Sequence, residues 1–267
     1  MKLIQRLLIA CAGAMALAAP ASAAGEYYTP KPHTWQFEGP FGTYDRAAMQ
    51  RGFQVYQEVC AACHGMRQLA FRHLGGEGGP FYMEDFPNPN DNPVVRAIAA
   101  QYVITDGPNE FGDMFDRPGR PTDRFPDPYA NPQQAAASNG GAIPPDLSVI
   151  IKARKQGPEY VRSLLLGYDY ETPDDIDIRP GQYYNPYMSG KIIAMAPQLQ
   201  DDLVEYADGT AATKEQMAHD LVSFLAWASE PHMEVRKRMG LMVMIYLLIL
   251  SGLLYAAYRQ VWSNIKH

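Results

Sequence analysis

One short motif constrains this chain more than any other feature. Two cysteines stand three positions apart and a histidine follows at once, at Cys60, Cys63 and His64. This pattern attaches a c-type haem, because each thiol can add to one vinyl group and the adjacent imidazole can reach the iron from one face. The motif therefore predicts an oxidising compartment, a fold that buries a porphyrin, and a second axial position to be accounted for.

The first segment of the chain has the pattern of an export signal. Lys2 and Arg6 precede an apolar run over 7–19, and small residues occupy 21–23, where a signal peptidase cuts. The apolar run is short for a membrane anchor, so residues 1–23 are predicted to be a cleaved signal peptide. An uncleaved anchor is the alternative.

The cysteine count supports the haem interpretation. Of three cysteines, Cys11 lies in the predicted signal and the other two form the motif. An exported protein without a further thiol has no structural disulfide. Zinc would need two more ligands of suitable spacing, and an ordinary redox pair would not explain the adjoining histidine.

A second apolar segment lies near the C-terminus. Residues 240–258 carry no charge and would span roughly 28 Å as a helix, close to the apolar thickness of a bilayer. We therefore expect a periplasmic haem domain at 24–235 and an anchor region with a short cytoplasmic tail at 236–267. Taken alone, the basic cluster at 236–238 would place this end of the anchor on the cytoplasmic side. The predicted signal peptide outweighs that preference, because it exports the domain that precedes the cluster.

The predicted exported domain is acidic. Residues 24–230 contain 16 Lys and Arg against 28 Asp and Glu. Such a surface repels nucleic acid and raises the encounter rate with a basic partner, although acidity can also serve solubility alone.

Two helices are predicted to support the haem. The first begins near Asp45 and presents Met49, Phe53, Tyr56 and Cys60 on one face, with Gly52 allowing a close crossing. The second begins at a capping box, Thr213 with Gln216, and ends before Pro231. Its apolar stripe contains Met217, Leu221, Phe224, Leu225 and Ala228. The predicted fold is mostly α with long ordered loops: a c-type cytochrome (class I-like) haem domain plus one C-terminal transmembrane helix.

The rest of the domain is rich in loop-forming residues. Residues 75–145 and 167–190 are dense in Pro, Gly, Asn and Asp, and their many aromatic residues favour packed loops over disorder. Short helices are expected at 93–103, with Val94, Ile98 and Tyr102 on one face, and at 158–166.

The second axial ligand has several candidates. Met195 is the best placed, because it lies between small residues, has a proline two positions later and precedes the C-terminal helix. Met83, Met114, Met188 and Met233 are the other methionines that remain. Those in the signal, the membrane and the helix faces are set aside, and Met66 is too close to the motif to cross the ring. A bis-histidine site could use His73 or His219.

Five stretches of this sequence resemble the bacterial cytochrome c1 family, the haem subunit of the cytochrome bc1 complex (ubiquinol–cytochrome c reductase). They are RGFQVYQEVCAACHGM (51–66), NGGAIPPDLSVIIKAR (139–154), NPYMSGKIIAMAPQL (185–199), EYADGT (205–210) and FLAWASEPHMEVRKRMGL (224–241). They occur in the family's order over nearly the whole predicted mature chain.

The resemblance implies a set of site residues. Cys60 and Cys63 would carry one covalent haem c, with His64 and Met195 as axial iron ligands. The haem pocket would include Asn139, Pro144, Pro145, Arg154 and Tyr160, with Arg154 near a propionate. No catalytic residue is expected in this chain alone.

The resemblance also implies a function. The subunit would take electrons from the Rieske iron–sulfur protein and pass them to a soluble or membrane-anchored cytochrome c, in a proton-translocating respiratory or photosynthetic chain. It would assemble with cytochrome b in a dimeric complex of the bacterial inner membrane, as a single-pass protein with its haem domain in the periplasm.

One departure and two alternatives accompany this interpretation. Some bacterial relatives have a second cysteine pair near the methionine loop, and this sequence lacks it. Packing alone is therefore expected to steady residues 167–190 here.

The alternatives are an anchored cytochrome that serves another oxidase or reductase, and a haem sensor with an open sixth position.

Overall fold

The computed structural model describes residues 28–263. The predicted signal peptide at 1–23, the first residues of the predicted haem domain and the last residues of the predicted tail lie outside this range. The elements, in chain order, are α1 (Arg46–Val55), a π-helical turn (Tyr56–Cys60), a 3₁₀ turn (Phe71–Gly75), α2 (Pro93–Ala100), β1 (Val103–Asp106), β2 (Phe115–Pro118), α3 (Pro132–Ser138), α4 (Ile150–Ala153), α5 (Gly157–Leu165), a second 3₁₀ turn (Gly167–Asp169), β3 (Tyr183–Tyr184), β4 (Ile192–Ile193), α6 (Lys214–Ser229) and α7 (Met233–Val261). This mostly helical architecture, with long loops and one apolar C-terminal helix, confirms the predicted fold class.

Helix α1 begins where the sequence predicted. The Asp45 carboxylate accepts hydrogen bonds from the backbone N–H groups of Ala47 and Ala48 at 2.9 and 3.1 Å. These bonds satisfy donors that have no partner within the helix. Met49, Phe53 and Tyr56 are buried, so the predicted apolar face is confirmed and leads directly into the haem motif.

The close crossing predicted at Gly52 is made with α6. A Cβ atom at this position would collide with the Asp220 carbonyl oxygen, so only glycine permits the approach. Beside the crossing, the Arg51 guanidinium donates two hydrogen bonds to the buried Asp220 carboxylate, at 2.8 and 3.0 Å. Both carboxylate oxygens thereby accept charge-assisted hydrogen bonds, which offset the free-energy cost of burying this charge.

Helix α6 is more deeply buried than a single apolar stripe predicts. Nearly every residue from Met217 to Ser229 is shielded from solvent, because the helices α4 and α5 pack against α6 in addition to α1. The predicted capping box is only half formed. The Thr213 hydroxyl accepts from the Gln216 N–H at 3.2 Å, but the Gln216 side chain donates to Asp220 instead of reaching back to Thr213.

The stretch 75–145 forms packed loops, as predicted, but also an unpredicted hairpin. Strands β1 and β2 pair antiparallel, and Arg117 of β2 forms ion pairs with Asp106 and Asp123, both at 2.6 Å. Helix α2 ends at Ala100, earlier than expected. Of the predicted face, Ile98 is buried and Tyr102 packs against the core, which confirms those two positions. Val94 is exposed and Val95 is buried instead, so that position was predicted wrongly.

A buried asparagine steadies the second loop region. Asn185 donates from its side chain to the Leu164 carbonyl of α5 at 2.8 Å, and its side-chain oxygen accepts from the Tyr187 N–H at 3.1 Å. Its own backbone N–H donates to the Lys191 carbonyl at 2.9 Å. These three hydrogen bonds therefore stabilise the loop region in addition to the packing that was expected.

Among the residues 28–263, one helix is long and apolar enough to cross a membrane, namely α7, with a mean hydropathy of 2.2. The rest of the described chain does not cover its apolar segment. Its first turns are tied to the arm that precedes α1. The Lys237 ammonium donates to the carbonyls of Phe37 and Gly42, and Glu234 accepts from the Tyr44 N–H at 2.7 Å.

Candidate haem site

The haem motif lies at the end of α1, where the helix widens. The Ala61 N–H donates to the Tyr56 carbonyl, and the N–H groups of Cys63 and His64 both donate to the Cys60 carbonyl, at 3.1 and 2.9 Å. Cys60, Cys63 and His64 therefore lie close together, on the turn that directly follows α1. Neither cysteine is in a disulfide.

The Cys60 thiol is held in its protonated form. Burial, and secondarily the neighbouring Cys63, raises the pKa of Cys60 to about 12. A thiol with such a pKa resists oxidation and metal capture, which both proceed through the thiolate. Both cysteines are free and half-buried, as attachment of a haem through two thioether bonds requires.

The His64 ring is oriented by a distant part of the chain. Its Nδ1 lies 2.8 Å from the backbone carbonyl oxygen of Pro145, 81 residues away. A carbonyl only accepts, so Nδ1 carries the hydrogen and Nε2 carries a free lone pair. Burial lowers the pKa of His64, partly opposed by the Pro145 hydrogen bond and Asp146. The ring is therefore a neutral imidazole, the form that binds iron.

The segment that contains Pro145 is fixed to the residues after the motif. The Leu147 N–H donates to the Gly65 carbonyl at 2.8 Å, and the Arg67 N–H donates to the Asp146 carboxylate at 2.9 Å. These bonds run alongside the contact between His64 and Pro145. They hold the two segments together whether or not the histidine is engaged.

Met195 lies in the loop between β4 and α6. It is half-buried, and its backbone carbonyl accepts a hydrogen bond from the Tyr168 hydroxyl at 2.8 Å. No hydrogen bond in the described part of the chain joins Met195 to His64. Ligands on opposite faces of a porphyrin do not touch, so the two residues remain candidates for the two axial positions.

The remaining predicted pocket residues have separate environments. The side-chain amide of Asn139, at the end of α3, donates to the Ala135 carbonyl at 2.7 Å and to the Tyr129 hydroxyl at 3.0 Å. Tyr160 contacts the sulfur of Met188 at 3.8 Å, which joins α5 to the methionine loop. Arg154 is exposed and donates only to the adjacent Ala153 carbonyl, and Pro144 is half-buried. The structure thus joins His64 with Pro145, but Asn139 and Arg154 are held by local contacts.

The two rival histidines are engaged elsewhere. The His73 Nδ1 accepts from the Ala70 N–H at 3.1 Å. The Nδ1 atom of His219 lies 3.1 Å from the Nε2 atom of His33. The His219 ring also stacks on Trp35, with ring centroids 5.2 Å apart. Both histidines therefore already serve local structure, which favours a methionine as the second ligand.

Sequence reasoning missed the residues that position the ligands. Pro145 was expected only to line the pocket, but its carbonyl orients His64. Tyr168 and Asn185 were not singled out. Tyr168 lies in the aromatic-rich loop region 167–190, and Asn185 is the first residue of the stretch at 185–199 that resembles the family, which was the signal available.

The residues present fit a c-type haem. They provide two unpaired thiols, an adjacent neutral imidazole with a free Nε2, and a methionine on a tethered loop. No cluster of three or more metal-binding side chains was found in residues 28–263, so the described residues offer no competing metal centre.

Comparisons with known proteins found relatives along nearly the whole chain. Residues 35–265 match the model of the Cytochrome C1 family. The chain is 40% identical to "Cytochrome c1" of Rhodospirillum rubrum over 99% of both chains. It is 49% identical to "Cytochrome c1 1, heme protein, mitochondrial" of Arabidopsis thaliana, over 88% of this chain and 72% of that one. It is also 44% identical to "Cytochrome b/c1" of Bradyrhizobium diazoefficiens over 97% of this chain, which spans only 39% of that longer relative.

Proposed function

The chain belongs to the cytochrome c1 family, electron-transfer haem proteins of the bc1 complex, and we propose that it carries one covalently bound haem c. Within that complex, ubiquinol–cytochrome c reductase, it acts as a subunit and has no separate catalytic site. The observation that carries the proposal is the hydrogen bond of His64 to Pro145. It orients a neutral imidazole beside two free thiols.

Each motif residue has a distinct role. Cys60 and Cys63 form the two thioether bonds, and His64 offers Nε2 to the iron. A haem c bound there would supply a one-electron iron(III)/iron(II) couple. Met195 would hold the iron through a neutral thioether, which would favour the ferrous state and raise the reduction potential. With His64 and Met195 both binding the iron, the haem would have no coordination site left for a substrate.

The pocket residues complete the proposed site. Pro144 and Pro145 line the histidine side, and Asn139 and Tyr160 line the surrounding wall. The exposed Arg154 has no ion pair among the described residues, so its guanidinium is available for a propionate. A bidentate pair of this kind is stronger than an ordinary hydrogen bond because both partners are charged.

The proposed electron path enters and leaves at the periplasmic face. We propose that the subunit receives electrons from the Rieske iron–sulfur protein and passes them to a soluble or membrane-anchored cytochrome c. The excess of acidic residues over 24–230 supports a basic acceptor. The apolar helix α7 supports a single-pass anchor in the inner membrane. We also propose cytochrome b as a neighbour in a dimeric complex.

Affinity purification with intact-mass analysis tests this proposal. A tag on the full-length chain should recover haem b together with a chain whose mass exceeds that of the mature polypeptide by one haem. Cys60→Ser with Cys63→Ser should lose the added mass. A haem-bearing chain recovered without cytochrome b and Rieske partners would instead indicate an independent anchored cytochrome.

A further inference from the structure

A short uncharged turn lies in the arm that precedes α1, at 39–42. It reads Gly-Pro-Phe-Gly, and Phe41 at its tip is 76% exposed. Gly39 begins the turn with a φ of 70°, a left-handed conformation that glycine adopts without strain. Single exposed apolar side chains are common on protein surfaces, so the location of this one decides its meaning.

Three hydrogen bonds tie this arm to the first turns of α7. The Tyr44 N–H donates to the Glu234 carboxylate at 2.7 Å. The Lys237 ammonium donates to the carbonyls of Phe37 and Gly42, at 2.7 and 3.0 Å. Between Tyr44 and Gly42 the partner on α7 changes from Glu234 to Lys237, which lies about 4.5 Å further along the helix. Followed in this direction, the arm therefore runs along α7 toward its apolar segment.

The tip of the turn reaches the level at which α7 becomes uncharged. Phe41 is the next residue in the same direction, and one residue extends the chain by up to about 3.6 Å. The uncharged segment begins at Gly240, about 4.5 Å beyond Lys237 along the helix. The polar layer of a bilayer leaflet is about 5 to 7.5 Å thick, so Phe41 lies within that layer when α7 crosses the membrane.

The chemistry of the turn fits a lipid surface better than a protein partner. Its four residues have no polar side chain, so they offer a partner protein no directional contact beyond the backbone. Phenylalanine is among the residues that interfacial segments bury at the boundary between lipid headgroups and acyl chains. That boundary covers apolar surface without requiring a hydrogen bond in return.

We propose that the turn at 39–42 inserts Phe41 into the interfacial layer of the bilayer, as a second membrane contact beside α7. The inference rests on the proposed anchoring by α7. A single helix leaves the attached body free to tilt, and a second contact held to the same helix by Lys237 restricts that tilt. One aromatic ring orients the body and is too small a contact to replace the anchor.

Fluorescence quenching by lipids in the complex, reconstituted into nanodiscs, tests the proposal. Phe41→Cys is labelled with a nitrobenzoxadiazole reagent, whose emission brightens and shifts to shorter wavelength outside water. Leu203→Cys is the matched control, because it is an exposed apolar position beside the start of α6, at the end of that helix remote from α7. Phosphatidylcholine with a nitroxide near the headgroup end of its acyl chain should quench the label at position 41. The label at position 203 should keep its emission.

Lys237→Met tests whether α7 places the turn. This substitution keeps an unbranched side chain of similar length but removes both hydrogen bonds to the arm. Quenching at position 41 should therefore fall in this variant. The wild-type complex treated with the same reagent gives the background from other thiols.

Three results would overturn the proposal. They are emission at position 41 that the nitroxide lipid leaves unchanged, equal quenching at positions 41 and 203, and quenching that Lys237→Met does not reduce. The haem c spectrum of each variant reports whether the protein has folded. If the unmodified chain is absent from the membrane fraction, the proposed anchoring by α7 fails instead, so the two failures are distinguishable.

Discussion

At the scale of single residues, the site depends on backbone carbonyls that fix side chains and loops. Pro145 contributes a carbonyl to His64, and Tyr168 donates to the carbonyl of Met195. Neither contact requires a special side chain at the accepting position. The residues that matter for orientation are therefore partly different from those that would touch the haem.

Tyr168→Phe is expected to loosen the Met195 loop. It removes one hydrogen bond at 2.8 Å, a loss of about 1 kcal/mol, while leaving the ring in place. Exogenous imidazole should then displace the methionine at a lower concentration, measured from the absorption spectrum of the oxidised complex. Tyr183→Phe, an exposed tyrosine on β3, should behave as wild type. Equal imidazole affinity in all three proteins would contradict the role given to Tyr168.

The same scale shows why parts of the site could not be predicted. Cysteine spacing and the adjacent histidine identify the motif directly, since their chemistry is local. The partner of His64 lies 81 residues away. The resemblance implied that Pro145 lines the pocket, but no local pattern shows that its backbone carbonyl accepts a hydrogen bond from that ring. Asn185 likewise acts through Leu164 and Lys191, which depend on the folding of two loops.

At the scale of elements, the crossing of α1 and α6 is the centre of the fold. It brings the helix that carries the haem motif against the most deeply buried helix. The N-cap Asp45 and the glycine at 52 were predictable, because capping and close approach depend on residue type. The burial of α6 on nearly all sides was not predictable, since it results from the packing of α4 and α5 against it and not from its own periodicity.

Gly52→Ala should destabilise this crossing. The added methyl group collides with the Asp220 carbonyl, and overpacking of this kind costs about 1 to 3 kcal/mol. The thermal midpoint for loss of the haem c spectrum should fall by several degrees. Gly240→Ala is the matched control, because nothing lies within 4 Å of a Cβ at that position. Equal midpoints for both variants would show that the helices can separate without strain.

The arm before α1 should detach from α6 at acid pH. Burial lowers the pKa of both His33 and His219, whose rings face Glu159, Arg162 and Asp220 as well as each other. The docked arm thus binds fewer protons than the free arm. Its docking is strongest above about pH 6.5 and is lost as the pH falls through the lowered pKa values.

Hydrogen exchange over residues 28–37 measures this dependence. After correction for the intrinsic rate, exchange should accelerate between pH 7.5 and pH 5. His33→Gln with His219→Gln should remove most of the pH dependence, because neither amide titrates. A double variant with the same pH profile as wild type would assign the effect to other groups.

At the scale of the whole molecule, the loop-rich body is joined to the apolar helix α7 through several contacts. Lys237 and Glu234 bind the segment that precedes α1, and Arg236 and Lys152 both pair with Glu230. The anchor helix begins at Met233, inside the predicted haem domain, because its first turns belong to this junction. The domain boundary predicted from composition therefore fell within a continuous helix.

A chain that ends after Met239 should fold but should not be inserted in the membrane. It keeps Glu234 and Lys237 but lacks the uncharged segment. We expect the haem-bearing product in the soluble periplasmic fraction, with the full-length chain in the membrane fraction as control. A truncated chain that stays in the membrane would show that another part of the protein anchors it.

The absorption spectrum of the oxidised complex tests the central claim, axial ligation by His64 and Met195. The wild-type protein should show the far-red band of methionine-bound ferric haem, and Met195→Leu should abolish it. Met188→Leu, which alters a methionine in the same loop that contacts Tyr160, should retain the band. Retention of the band in Met195→Leu, or its loss only in Met188→Leu, would contradict the account.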